Sequence, residues 1–229
     1  MLYDEPITNH NKYHDVAALY CADDEEYLFA EQIDLHITPA SVAKLLTGLL
    51  PASGNDAAYS IAAAAARAAF PNRNMTAVQA VSCFMELMNE YAAAIGMNDS
   101  RFVYPEGWDD GDQYTTARDL ITLGRHILTI PELKRITGTF SRFVEFASGE
   151  TITWENYNRL LNPNSKYYCP EAIGLKTGTK EAAGASLLGT VVRNKKTYIT
   201  YVTGCNEMCE RYLKTMEMLN SFVPAAADF

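Results

Sequence analysis

Apolar runs of strand character stand at both ends of the chain, and the stretch between them is patterned for helix. This arrangement sharply limits the folds open to the sequence. Near the N-terminus, residues 16–22 (VAALYCA) are apolar, 23–26 (DDEE) are a polar turn and 27–31 resume the run, which reads as a β-hairpin. Near the C-terminus, residues 185–192 and 197–203 alternate around the turn Arg193-Asn-Lys-Lys196, and residues 207–222 read as a closing helix. Between them lie a helix over 42–50, opened by Pro39 and Ser41 and ended by Pro51, and an alanine-dense helix over 57–69. The clearest helix spans 75–95, where Val78, Val81, Met85, Met88, Ala92 and Ile95 recur every three or four residues before Gly96. A capping-box pattern, Thr116-Ala-Arg-Asp119, starts another helix that runs to about Thr129 and is stopped by Pro131. Residues 140–146 and 151–154, joined through Ser148-Gly149, read as a second hairpin.

Strands that begin and end a chain around a helical block imply an α+β protein: an antiparallel sheet flanked by helices, with an inserted helical subdomain. A single domain over residues 1–229 is expected, its sheet part at about 16–48 and 135–229 and its helical part at about 49–134. The net charge of −9, with no basic cluster, argues against nucleic acid or an anionic membrane surface as partner. No apolar run reaches the roughly 20 residues a membrane helix needs. The five cysteines are scattered, Cys205 and Cys209 lack a second ligand pair, and His10 and His14 lack a third ligand, so neither metal nor cofactor is expected.

Three short motifs carry the chemistry: Ser41-Val-Ala-Lys44, Ser53-Gly-Asn55 and Lys176-Thr-Gly178. As a set they match the S-x-x-K, S-D-N and K-T-G signatures of β-lactamases and penicillin-binding proteins. Singly they are weak, since S-x-x-K and S-x-N each arise by chance roughly once in a chain of this size and K-T-G in about one chain in twenty. Their physical logic is coherent. A serine at a helix N-terminus sits at the positive end of the dipole, and a lysine three residues on lies one turn away on the same face. A second lysine nearby lowers the pKa of the first, leaving a lone pair for use as a base. Lys176-Thr-Gly-Thr179 is expected to precede an apolar strand, with the glycine letting a substrate backbone lie close to the sheet edge. A P-loop is excluded, because no G-x-x-x-x-G-K-[ST] occurs and Lys176 stands before its glycine.

The chain resembles the serine D-alanyl-D-alanine carboxypeptidases, low-molecular-mass penicillin-binding proteins of the S11 peptidase type. The likeness covers roughly residues 16–220. It rests on Ile37-Thr-Pro-Ala-Ser-Val-Ala-Lys-Leu-Leu-Thr47, Leu49-Leu-Pro-Ala-Ser-Gly-Asn-Asp-Ala-Ala58 and Tyr114-Thr-Thr-Ala-Arg-Asp119. It also rests on Trp154-Glu-Asn-Tyr-Asn-Arg-Leu-Leu161 and Gly174-Leu-Lys-Thr-Gly-Thr179. The resemblance implies a β-lactamase/transpeptidase-like fold and an acyl-enzyme mechanism on the D-Ala-D-Ala end of peptidoglycan stem peptides, with β-lactams as covalent inhibitors. It implies Ser41 as nucleophile, Lys44 as general base and Ser53 as proton relay. Asn55 would hold Lys44 or the substrate amide, and Lys176, Thr177, Gly178 and Thr179 would line the carboxylate site. The amides of Ser41 and Thr179 would form the oxyanion hole. Nothing resembles the E-x-x-L-N motif of class A β-lactamases.

The resemblance also implies an extracytoplasmic, envelope-associated protein; residues 1–15 do not read as a secretion signal, which leaves a cytoplasmic protein or the mature or trimmed form of an exported one, and an anchor after the closing helix is expected to be absent or trimmed. In one respect the chain departs from the family: only eight residues lie between Lys44 and Ser53, where the family has several tens. If 41–50 is one helix, Ser41 and Ser53 stand roughly 15 Å or more apart. Eight extended residues span at most about 28 Å, so the chain has the length to double back, at the expense of the leucines at 45, 46, 49 and 50 as a helical core face. The expectation is therefore that the first two motifs do not meet. That leaves open a missing internal segment, a non-catalytic peptidoglycan-binding or scaffold relative, or an intact site reached by another backbone path.

Overall fold

The computed structural model describes residues 16–45, 54–108, 112–180 and 184–223. Among them, five strands form one antiparallel sheet in the order β2-β1-β7-β6-β5: β1 Val16–Cys21, β2 Glu26–Glu31, β5 Ala172–Lys180, β6 Gly184–Arg193 and β7 Lys196–Cys205. The first strand of the chain pairs with the last, Ala18 opposite Tyr201, so the two ends share one sheet as the sequence pattern requires. The second hairpin, β3 Ser141–Glu145 with β4 Thr151–Glu155, forms its own two-stranded ribbon. The K-T-G motif precedes the apolar strand β6, as expected, and itself lies inside a strand, β5, at the edge of the sheet. Its glycine and threonines make a weak apolar signal, and the pairing with β6 (Lys176 opposite Leu188, Gly178 opposite Ser186) supplies the strand instead.

Helices cover both faces of the sheet. Val16, Ala18, Tyr20, Leu188, Ile199 and Tyr201 pack with Leu120, Ile121, Leu123 and Ile127 of α3 (Ala117–Leu128). The opposite face buries Leu19, Leu187, Val191, Tyr198 and Val202 with Tyr212, Met218 and Leu219 of α5 (Glu210–Phe222). Strands β6 and β7 are thus buried on both sides, so burial runs along them without alternating in and out and takes in even Ser186, Thr190, Thr200 and Thr203. Gly124 brings α3 close: a Cβ there would stand 3.0 Å from Ile199 Cγ2.

The helical block holds α1 Asn55–Ala69 and α2 Ala77–Ala94, joined along a seam of small residues: Ala63, Ala66, Ala80 and Cys83. Thr76 and Gln79 form a full capping box at the start of α2. Met85, Met88 and Ala92 are buried as the periodicity expects, with Val81 and Ile95 partly buried, whereas Val78, in the first turn, is 80% exposed. At α3 only half of the expected capping box forms. Thr116 Oγ1 accepts from the Asp119 amide (3.1 Å), but the Asp119 carboxylate turns away to accept from Asp99 N (2.9 Å) and Ser100 Oγ (2.6 Å). Burial raises the pKa of Asp119 in spite of these donors. Pro131, expected only as a stop, is also the first residue of a short helix, α4 Pro131–Thr137, where its missing N–H costs nothing. The helix expected over 42–50 is a 3-10 turn, Ala40–Leu45, as far as residue 45; residues 46–50 lie outside those described.

Leu188, fully buried between α3 and the central strands, offers a direct check on this packing. Leu188→Ala should lower unfolding free energy by about 2–5 kcal/mol in denaturant titrations.

Candidate active site

The first motif is held by two close approaches that only glycine permits. The segment entering it is tied to the strand-like stretch before α3 by a reciprocal pair, Ile37 N to Thr115 O and Thr115 N to Ile37 O, both 2.8 Å. The chain then enters the 3-10 turn through Ala40, at φ +46°. Gly107, at φ +80°, abuts the Ala40 carbonyl so tightly that a Cβ at 107 would stand 1.8 Å from that oxygen. On the other side the turn lies on β5. A Cβ at Gly178 would meet Ser186 Oγ at 2.4 Å, Ala40 Cβ at 3.3 Å and Val42 Cγ2 at 3.5 Å. The space beside the Gly178 Cα is thus taken up by Ser186 of β6 and by the turn. Ser41 is the second residue of this turn, set between Ala40 and Val42.

Lys44, in the last part of the turn, is 1% exposed, and its Nζ donates to Asn55 Oδ1 at 2.7 Å. Asn55 opens α1. The first motif and the asparagine of the second therefore meet across eleven positions, contrary to the separation expected from one continuous helix. A 3-10 turn described only as far as residue 45, and an α1 that begins at residue 55, leave nine residues to make the return, ample in reach. Ser53 lies outside the described residues.

The third motif supplies a buried cation. Lys176 is 3% exposed, and its Nζ donates to Thr177 O at 3.0 Å. Burial lowers its pKa to about 7, and the charges of Lys44 and Arg211 add to the shift. Thr177 is buried, while Thr179, nearer the strand end, is exposed and donates from Oγ1 to Gly178 O at 2.8 Å.

Arg211, from α5, is a member of the site that the sequence motifs do not include. It is buried, and its Nη1 donates to Gly178 O (2.9 Å), Thr179 Oγ1 (3.1 Å) and Ser186 O (3.4 Å). A signal for it exists in the sequence. Arg211 shares a helical stripe with Thr215, Met218 and Leu219, all buried, and an arginine on an apolar face is rarely there without a task. Three basic side chains, Lys44, Lys176 and Arg211, thus gather where the turn, β5 and α5 meet, an arrangement suited to an anionic ligand beside an amine that can lose its proton. Among the described residues no group of three or more His, Cys, Asp or Glu is placed to hold a metal ion, and no helix is long and apolar enough to cross a membrane.

A family model described as D-alanyl-D-alanine carboxypeptidase, Peptidase S11, matches residues 22–207. The chain is 29% identical over 193 residues to D-alanyl-D-alanine carboxypeptidase DacA of Haemophilus influenzae, covering 82% of this chain and 42% of that protein. It is 33% identical over 152 residues to DacB2 of Mycobacterium tuberculosis, covering 66% and 46%. The chain thus spans less than half the length of these curated relatives. Among solved structures, the Streptomyces K15 DD-transpeptidase superposes with a TM-score of 0.79 at 20% identity, covering 89% of this chain and 94% of that one. Penicillin-binding protein D2 of Listeria monocytogenes, in its cefotaxime-bound form, gives 0.72 at 22% identity, with 90% and 95% covered. At these identities the superpositions establish the fold.

The shifted lysine has a consequence for stability. Its native pKa of about 7 lies below the ordinary lysine value of 10.5, so between those pH values the unfolded chain holds a proton that the native chain has lost. The Lys176 contribution to stability therefore rises with pH across that window, by at most about 1.4 kcal/mol per pH unit, and is flat below it. Lys176→Met should remove this dependence. In urea titrations the variant's stability relative to wild type should be highest below pH 7 and should decline toward pH 10.5.

Proposed function

On the premise that the chain belongs to the S11 peptidase family of D-alanyl-D-alanine carboxypeptidases, we propose that it is a serine-type carboxypeptidase cleaving the terminal D-alanine from peptidoglycan stem peptides. The observation that carries this reading is the 2.7 Å contact between Lys44 and Asn55 beside the buried Lys176 of β5, by which all three motifs contribute to one locus.

In this reading Ser41 Oγ attacks the carbonyl carbon of the D-Ala-D-Ala peptide bond while Lys44 takes its proton. Two ammonium groups as close as Lys44 and Lys176 disfavour double protonation, so the pair can offer a neutral amine near neutral pH. The amides of Ser41 and Thr179 stabilise the oxyanion. On collapse the C–N bond breaks, and the departing amine of D-alanine receives a proton relayed through Ser53. Water then attacks the acyl carbon and gives a proton to the same base, the C–Oγ bond breaks, and the base returns that proton to Ser41 Oγ. The terminal carboxylate of the substrate sits against Thr177 and Thr179, facing the positive charges of Lys176 and Arg211. A β-lactam enters the same path, but its leaving amine stays tethered to the acyl group, so the adduct persists. Because stem peptides lie outside the cytoplasm, the protein is placed at the cell envelope in this reading.

Intact-protein mass after incubation with benzylpenicillin, with peptide mapping, tests it. A single adduct on Ser41, absent in Ser41→Ala, is expected; a folded protein that takes no adduct would remove the reading and leave a non-catalytic relative. Arg211→Leu keeps the apolar volume but loses the guanidinium. It should lower kcat/KM for D-alanine release by about ten- to a hundredfold, chiefly through KM, as expected for one charge-assisted hydrogen bond to a carboxylate.

A further inference from the structure

The carboxylate of Glu106 is an anomaly that the proposed chemistry does not use. Glu106 is 5% exposed, one oxygen accepts from Tyr59 OH at 3.0 Å, and the other, Oε2, is buried with no hydrogen-bond partner among the described residues. A buried carboxylate oxygen left unpaired is costly, and such costs are retained mainly where a site needs the geometry they impose.

That geometry is a closed ring. Glu106 immediately precedes Gly107, which abuts the carbonyl of Ala40, and Ala40 begins the turn that carries Ser41 and Lys44. Lys44 reaches Asn55 at the start of α1. Tyr59 lies four residues further along α1, one turn away on the same face, and closes the ring by its hydroxyl on Glu106. Among the described residues the N-cap of α1, Gly54, makes no side-chain capping bond. Burial, then the bond to Glu106, raises the Tyr59 pKa to about 12, so the hydroxyl remains a donor.

We propose that Tyr59 and Glu106 are a positioning pair for the catalytic locus, setting the rotation and height of α1 so that Asn55 meets Lys44. Neither residue need touch substrate; the pair acts through Asn55. The proposal rests on the carboxypeptidase reading for its kinetic consequence, but not for its structural one.

The test compares wild type with Tyr59→Phe, Glu106→Leu and Glu106→Gln in two measurements. The first is benzylpenicillin acylation, resolved into binding and acylation steps, alongside thermal unfolding. Tyr59→Phe and Glu106→Leu should lower the acylation rate constant by about ten- to a hundredfold, with little change in the binding constant, as expected when a supporting group lets a base drift. Glu106→Gln, which keeps an acceptor for Tyr59, should restore most of that rate. The second is a crystal structure of Tyr59→Phe, or of Glu106→Leu if the first fails to fold. In it the Lys44 Nζ to Asn55 Oδ1 distance should open beyond hydrogen-bonding range. A lowered melting temperature with unchanged acylation, or an intact Lys44–Asn55 contact, would overturn the pair's positioning role. If wild type itself takes no adduct, the carboxypeptidase reading fails, and the Lys44–Asn55 distance alone decides the positioning role.

Discussion

The site depends on how closely a short 3-10 turn can be pressed between a sheet edge and a loop. Gly178 on β5 and Gly107 in the loop before α3 are the two contacts, and neither has room for a methyl group without moving backbone or core atoms. Everything placed by the turn follows from that approach: the position of Ser41 next to β5, the burial of Lys44, and the direction from which Asn55 must come. A methyl at Gly107 would have to displace the Ala40 carbonyl itself, since the obstructing atom is backbone rather than the end of a flexible side chain.

Bringing three cations into this space works against folding. Lys176 is almost fully buried, with the Thr177 carbonyl as its acceptor among the described residues, and Lys44 and Arg211 both repel its charge. The fold tolerates this by letting the lysine approach neutrality and by spreading the Arg211 donors over Gly178 O, Ser186 O and Thr179 Oγ1. The result is an excess of positive potential at the end of β5, the feature on which the proposed carboxylate site rests. The same arrangement ties α5 to β5, so the last helix both covers one face of the sheet and contributes to the site.

Much of this architecture is legible in the amino-acid sequence. The paired terminal strands, the hairpins, the alanine-rich α1 and the long α2 follow from apolar periodicity, because burial against a sheet face or along a helix stripe leaves a regular trace in the chain. The two motif lysines and Asn55 can be named for a related reason: their spacing and residue types are set by chemistry. Arg211 escapes such a reading because one basic residue in a terminal helix has no motif around it. Glu106 and Tyr59 escape it because their partnership spans 47 positions and leaves no local pattern. The leucine spacing over 42–50 is helical and misleads at the start of that segment, where the packing of Ala40 and Val42 on Gly178 favours a tighter turn.

By itself, the sequence determined the class of fold and the family, and named the residues proposed for acyl transfer, since each of these is written in local pattern and side-chain type. Only the tertiary structure decided whether those residues meet. The Lys44–Asn55 contact, the depressed pKa of Lys176 and the reach of Arg211 all arise between elements distant in the chain, from burial and from charges that sequence spacing does not bring together. Distance along the chain limits how far apart two groups can be, but close packing sets how near they come.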